Sequence, residues 1–302
     1  MKNKFLYEYD SVSVEAYVFG DASVGKTLTI TSGVHGCEYV PILVAKKLIN
    51  LLENMELNGA VKIVPLINKS GFYNGLKQLA KEDGKNLNRC FPGNPNGTHS
   101  EKMAYLIERD IYPETDFLLD LHAGDIDEYA FPFVFFPVAS GEEIEEKSRE
   151  AAKSMPISTR VRSTSKNGLY SHASQCGIPA LLMEWGGYAK YNQSEVEECV
   201  NSVLYLLAHL GILPNEDLKN IKHQYEVENA QYISAVSEGC WYFNVEGEDF
   251  FKQGDVLGVL KDFEDNVLQE VIAKFDGRVL YSSTSLGVTE GYPLVAYGEK
   301  FK

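Results

Sequence analysis

The feature that most constrains this chain is the order of elements between residues 27 and 68. Thr27-Leu28-Thr29-Ile30-Thr31-Ser32 is a β-branched run that reads as a strand. Pro41 then sits where a first helical turn belongs, and Val40, Ile42, Leu43, Leu48, Ile49, Leu51 and Leu52 follow at helical spacing. Asn58-Gly59 breaks that helix, and Val61 to Asn68 is the next strand. Strand–helix–strand order is the signature of a parallel sheet with helices on its faces. Between the first strand and the helix lies Gly33-Val34-His35-Gly36-Cys37-Glu38. His35 and Glu38, three apart on a turn, can hold one Zn²⁺ if a third ligand arrives from elsewhere. Alone, such a pair is more often a hydrogen-bonded histidine beside a solvated carboxylate.

The chain has 302 residues, 44% hydrophobic and 24% charged, enough for one large or two smaller cores. Its formal net charge of −15 argues against a nucleic-acid partner, and an anionic substrate would need a local positive site. Cys37, Cys90, Cys176, Cys199 and Cys240 are odd in number and form no C-x-x-C pair, which suits reduced thiols. Met1 to Phe5 carries no apolar signal core, and no run approaches the length of a membrane span. A cytoplasmic protein with no membrane partner is expected.

Residues 5–32 read as short strands with a turn near Gly20-Asp21. Residues 69–97 form a long polar stretch rich in Gly and Asn, and a loop of that length points to function. Thr98-His99-Ser100-Glu101 offers a capping box for a helix through Ile111. Phe117 to Leu121 is a buried-strand pattern ending at His122, and Phe131 to Val138 is a second apolar run. Gly141 to Ser154, acidic first and basic last, suits a helix dipole. Ile178 to Met183 is again short and apolar and leads into Glu184-Trp185-Gly186-Gly187. Ser194-Glu195-Val196-Glu197 reads as a second capping box, opening a helix to Leu210 that stops at Gly211. After residue 228, alternating stretches are separated by Gly- and Asp-containing turns, with no helical segment. The expected organisation is an α/β catalytic domain, residues 1–222, and a small all-β domain, residues 228–302, with the polar segment 215–231 at the boundary.

Three strand candidates thus end in a residue able to hold a metal or move a proton. They lead to His35 and Glu38, to His122, and to Glu184. Ligand sites in open α/β sheets gather outside the carboxyl ends of the strands, so these residues can meet in space. Two histidines and a carboxylate, with a fourth position for water, is the set expected of a hydrolytic zinc site. A carboxylate outside that set must then take and return protons, and Glu184, between Met183 and Trp185, is the candidate base. In the loop Asp83 to Gly93, Arg89 can fork onto a carboxylate or carbonyl oxygen with Asn88 donating beside it. Each has a blander reading on its own: a strand-end histidine, an ion-paired glutamate, an arginine bracing a loop.

H-G-x-E at 35–38, N-L-N-R-x-F-P-G at 86–93, D-L-H-x-G at 120–124 and M-E-x-G-G at 183–187 occur in that order. Any one is weak; four in order are specific. Over residues 27–190 the chain closely resembles the succinylglutamate desuccinylase/aspartoacylase family of zinc deacylases, relatives of the zinc carboxypeptidases. The resemblance implies an α/β fold with a zinc-carboxypeptidase-like mixed sheet flanked by helices. It implies one Zn²⁺ per chain on His35, Glu38 and His122, with Glu184 as general base and later as proton donor to the leaving amine. Asn88 and Arg89 would bind the substrate's carboxylate end or its carbonyl. The implied reaction is hydrolysis of an N-acyl amino acid or related small N-acyl amine to a carboxylate and a free amine, the cation and an arginine sharing the oxyanion's charge.

In one respect the chain departs from that family. Members resembling aspartoacylase carry a further arginine shortly before the N-R pair, whereas Leu76 to Glu82 here has none. Lys77 or Lys81 could stand in as a point charge but not as a bidentate fork, which puts dicarboxylate substrates in doubt. Cys37 and Cys90 lack a strongly basic partner and read as packed thiols. His99 reads as a surface residue and His172 as structural, while Asp120 and Asp125 could orient His122. The C-terminal part resembles a lipoyl/biotinyl-like β-sandwich without a carrier-lysine motif, expected to shield the site's mouth or to mediate contacts in a homo-oligomer. Two other readings share parts of the pattern: a zinc carboxypeptidase acting on peptides, and a catalytically inactive binding module.

Overall fold

The computed structural model describes residues 2–214 and 224–299. The expected domain end at residue 222, and residues 215–223 of the expected boundary segment, lie outside the described residues. A hairpin of β1 (Lys2–Tyr9) and β2 (Val12–Gly20) precedes β3 (Thr27–Ser32), α1 (Tyr39–Leu51), β4 (Ala60–Val64), α2 (Lys69–Asn74) and α3 (His99–Asp110). Next come β5 (Phe117–His122), β6 (Glu128–Pro137), α4 (Glu142–Lys153), β7 (Thr159–Ser163), α5 (Leu169–Gln175), β8 (Ala180–Gly187) and α6 (Gln193–His209).

β4, β3, β5 and β8 lie side by side and parallel, as the strand–helix–strand order requires. β2 on one flank and β6 on the other run antiparallel to them, so the sheet as a whole is mixed. The chain leaves β3 on one side through α1 to β4, then returns on the other side of β3 as β5. A crevice opens at the carboxyl ends of strands where such connections diverge.

Period-two alternation then sorts the strand residues by layer. In β5, Phe117, Leu119 and Leu121 join a core with α1, α4 and α6, whereas Leu118 joins the core containing α3 and α5. In β8, Leu181, Met183 and Trp185 take the first layer, and Ala180 and Leu182 the second. By the same parity Asp120, His122 and Glu184 fall on the α3/α5 side. Each buried leucine contributes about 1.5–3 kcal/mol, and a one-residue slip would turn every one of them to the wrong layer. The hydrophobic pattern therefore also fixes where the polar strand-end residues point.

Some local expectations are corrected. α6 is capped by Asn192, whose extended backbone lets its side chain accept the Glu195 N–H at 2.8 Å. Ser194 lies inside the first turn and donates to Asn192 Oδ1 at 2.7 Å, so it is not the cap. At α3, by contrast, the expected capping box is present, the Glu101 carboxylate accepting the Thr98 N–H at 2.7 Å. The 69–97 stretch is not unbroken loop: Asn68 caps α2, and Asn86 caps a single 3-10 turn, Leu87–Arg89. β7 and α5 are elements that the sequence reading did not assign.

Beyond residue 224 every described element is a strand: β9 (Tyr225–Val227), β10 (Ala230–Ser234), β11 (Gly239–Phe243), β12 (Phe250–Phe251), β13 (Val256–Lys261), β14 (Val267–Ile272), β15 (Gly277–Ser283), β16 (Gly287–Val288) and β17 (Pro293–Glu299). β11, β13, β14 and β16 make a second, antiparallel sheet over a core that includes Trp241 and Leu257. β15 instead pairs with β6, Tyr281 opposite Ala130, and β17 and β10 carry the large sheet on from there. Among the described residues, no helix is long and apolar enough to cross a membrane.

Candidate metal centre and active-site cavity

The turn after β3 packs tightly. A Cβ on Gly36 would lie 2.0 Å from the backbone nitrogen of Phe72, so only glycine lets the turn approach α2 this closely. Glu38 occupies the cap position of α1 but makes no capping hydrogen bond, which leaves its carboxylate free to face β5. His35 Nδ1 lies 2.6 Å from Glu38 Oε1, and His122 Nδ1 lies 3.0 Å from Glu38 Oε2. The outer nitrogens are held as well. His35 Nε2 is 3.0 Å from Asn86 Oδ1, and His122 Nε2 is 3.0 Å from Asp120 Oδ2. Asp120 is itself fixed by the Thr31 hydroxyl, which donates to it at 2.7 Å.

This arrangement fits a cation. A neutral imidazole has one N–H; if each ring donates it outward, to Asn86 or Asp120, both inner nitrogens turn lone pairs toward the Glu38 carboxylate. Three buried donors then converge, their ligand atoms within 4.8 Å of one another. Glu38 Oε2 makes no hydrogen bond of acceptable geometry, though it is buried. An orphaned buried acceptor costs about 1–3 kcal/mol, and a bound cation removes that cost. The proton affinities carry the same tension. Burial opposes the charge on Glu38, but His122 and His35 outweigh it and hold the carboxyl down to about 2. Burial likewise opposes charge on His122, and the Glu38 and Asp120 carboxylates override it and raise that imidazole well above its ordinary value.

Glu184 stands directly across the β5–β8 pair from His122, as its register partner. Burial, reinforced by Glu38 and Asp120, pushes its carboxyl up to about 8, against the opposing pull of His122 and Arg89. His35, Glu38, His122 and Glu184 all line one cavity of about 610 Å³, a size suited to a small molecule. Asn88 and Arg89 line it too. Asn88 is buried, and its side-chain oxygen accepts the Leu169 N–H at 2.8 Å, so it also anchors the start of α5. Arg89 Nη1 donates to the Asn88 carbonyl at 2.8 Å, and no carboxylate ion-pairs with this guanidinium among the described residues.

The expected stand-ins for the missing arginine are elsewhere. Lys77 is taken up by Asp127 and Tyr292, and Lys81 reaches Asn74 Oδ1 at 3.2 Å; neither lines the cavity. The second guanidinium there is Arg162 on β7, within 3.3 Å of Glu145. Sequence reading passed over it, although Thr159-Arg160-Val161-Arg162-Ser163 carries the alternation of a half-buried strand. It also passed over Asn86, which holds His35, and over the C-terminal wall formed by Tyr232, Tyr281 and Pro293. Asp125 does not orient His122, because it accepts from Cys37 Sγ at 3.1 Å instead. Burial raises the Cys37 and Cys90 thiols above their ordinary values, so neither is an activated nucleophile. His172 packs against Phe91 and Tyr112, outside the cavity lining.

The chain is similar to known proteins in sequence and in fold. Residues 24–210 match the family described as the Succinylglutamate desuccinylase/Aspartoacylase catalytic domain. The chain is 30% identical over 195 residues to the N-alpha-acetyl-L-2,4-diaminobutyric acid deacetylase of Halomonas elongata, a match covering 64% of this chain and 57% of that protein's length. Its fold is similar to that of product-bound ectoine utilization protein EutE (DoeB) from Ruegeria pomeroyi, with TM-score 0.84 at 20% identity over 99% of this chain and 95% of that one. It is similar also to the succinylglutamate desuccinylase/aspartoacylase from Rhodobacter sphaeroides, with TM-score 0.83 at 22% identity over 100% and 95% of the two chains.

Proposed function

The chain belongs to the succinylglutamate desuccinylase/aspartoacylase family, and from that premise we propose that it is a zinc-dependent deacylase. Its reaction would be hydrolysis of the amide bond of a small N-acyl amino acid or related N-acyl amine. The observation that carries this reading is the convergence of three buried donors on one point, with the Glu184 carboxyl beside them in the same cavity. His35, Glu38 and His122 would hold one Zn²⁺ per chain, which supplies Lewis acidity toward a carbonyl oxygen and lowers the pKa of water to about 7.

The protein's own groups supply the rest. Asn86 and Asp120 keep both imidazoles in the tautomer that turns a lone pair inward. Glu184, with its proton affinity raised, would take one proton from water as it adds to the carbonyl and pass it to the departing nitrogen, then carry the second proton from the new carboxyl group the same way, so that the products are a carboxylate and an ammonium. Arg89 offers a fork to the substrate's carboxylate end or to the charge that grows on its carbonyl oxygen, with Asn88 setting the position of the loop.

In the proposed division of the chain, residues 228–302 narrow the mouth of a catalytic unit of residues 1–222. Tyr232, Tyr281 and Pro293 on that wall favour a small substrate over a peptide laid in an open groove. The five free cysteines support a reducing, cytoplasmic setting. The deciding assay presents acetylated amino acids, succinylated amino acids and short peptides side by side to zinc-loaded protein. Cleavage of N-acyl amino acids with little peptide hydrolysis is expected; release of C-terminal residues from peptides alone would replace the deacylase with a carboxypeptidase.

A further inference from the structure

We propose that Glu128 is a cation subsite of the cavity and selects N-acyl amino acids whose side chain ends in a free amine. This rests on the deacylase reading above and assigns its substrate class. The acidic run Asp125-Ile126-Asp127-Glu128 joins β5 to β6, and its members differ sharply in what they touch. Asp125 accepts from Cys37 Sγ at 3.1 Å and from the Ile126 N–H at 2.6 Å. Asp127 accepts from Lys77, from Tyr292 and, at 3.1 Å, from the Ser283 hydroxyl. Glu128 lines the cavity, and among the described residues no hydrogen bond or ion pair reaches its carboxylate.

Its position is nonetheless tightly built. The Glu128 N–H donates to the Asp125 carbonyl at 3.3 Å, and the Glu128 carbonyl accepts the Tyr188 N–H at 2.9 Å. A Cβ on Gly187 would lie 2.0 Å from that carbonyl oxygen, and one on Gly124 would lie 2.5 Å from it. These two residues close the D-L-H-x-G and M-E-x-G-G motifs. Their lack of a side chain lets the first residue of β6 press against the ends of β5 and β8, on the same cavity wall as Glu184.

A half-buried carboxyl without a partner is costly when charged. Burial, with Glu184 and Asp125 nearby, raises its proton affinity well above the carboxylate range. An ammonium at hydrogen-bond distance reverses that balance, because a charge-assisted pair satisfies both groups at once. The other carboxyls of the cavity do not offer this. Glu38 belongs to the donor set, Glu184 to proton transfer, and Glu228 lies exposed at the rim. Arg89 and Arg162 supply positive charge for a substrate carboxylate, so the cavity holds both signs that a diamino acid presents.

The test assays zinc-loaded wild-type protein and Glu128→Gln on N-α-acetyl amino acids of matched length whose side chains end in an ammonium, a methyl or a carboxylate. Wild type should prefer the ammonium over the methyl compound by about tenfold or more in kcat/KM, mainly through KM. In Glu128→Gln that ratio should collapse toward one with zinc content retained. The inference is overturned if wild type turns over the neutral or acidic compound as well as the cationic one, or if the ratio survives the substitution. Should Glu128→Gln not fold, the wild-type ranking decides by itself. If neither acetylated nor succinylated amino acids are cleaved, the deacylase reading falls and this one with it; if only succinylated ones are cleaved, the ranking is read on the matched succinyl series, and cleavage with the wrong ranking removes only this one.

Discussion

The two walls of the cavity are built by different rules. On one, His35 and Glu38 follow the end of β3, His122 ends β5, and Glu184 lies within β8 at the last register pair of the parallel β5–β8 ladder. Parallel register sets them side by side, and each lies within a short motif. On the other wall, Tyr232, Tyr281 and Pro293 come from β10, β15 and β17, brought in by antiparallel pairing of β15 with β6. They sit in strands whose alternation looks like any other. In the proposed reaction the first wall would carry the chemistry and the second the shape. Lys77, Asp127 and Tyr292 join them, tying the 69–97 stretch to the start of β6 and to the C-terminal strands.

That division can be broken experimentally, the largest effect first. His122→Ala should take zinc from about one per chain to none, with activity lost alongside; a variant that keeps its metal and its turnover would remove His122 from the first wall's chemistry. Glu184→Gln should retain zinc and lower kcat by about 10²–10⁴-fold, the usual worth of a positioned acid–base group. Undiminished turnover there would leave the cavity without its proton carrier. Asp120→Asn keeps the size of the side chain but weakens its grip on His122. It should lower zinc affinity or turnover by about 10–100-fold, and it should not alter the ranking of substrates by side chain. A changed ranking would mean that the walls are not separable.

The smallest effect belongs to the joint. Burial opposes the charge on Asp127, but hydrogen bonds from Lys77 and Tyr292 outweigh it, so the carboxyl sits below its ordinary value. A carboxyl whose native value is depressed stabilises above its unfolded value of about 3.9 and loses that contribution as pH falls through the native one. Asp127→Asn should therefore cost about 1 kcal/mol near neutrality, and its urea midpoint should converge on that of wild type in acid. A gap of equal size at both pH values would mean that packing, not charge, holds the joint.

Much of the first wall is legible in the residues. A strand pattern that ends in His122 and another that ends in Glu184 are local signals, and parallel pairing converts them into neighbours. Arg162 was missed because its strand is short and its role depends on β7 pairing with β6. Lys77 was over-read because a lysine next to a motif looks available until its partners, Asp127 and the distant Tyr292, are seen. Asp125 was over-read for the same reason: closeness to His122 in sequence does not set which way a side chain turns.

The sequence alone set the strand–helix–strand order around the candidate site, the alternation that sorts its strand residues by layer and the identity of the chemically able side chains. All three follow from short-range periodicity and from the residue types at strand ends. Only the tertiary structure decided which carboxyls are left without partners. Whether Asp125, Asp127 or Glu128 is free depends on Cys37, Lys77 and Tyr292, groups up to 165 residues away along the chain that folding alone brings within hydrogen-bond reach.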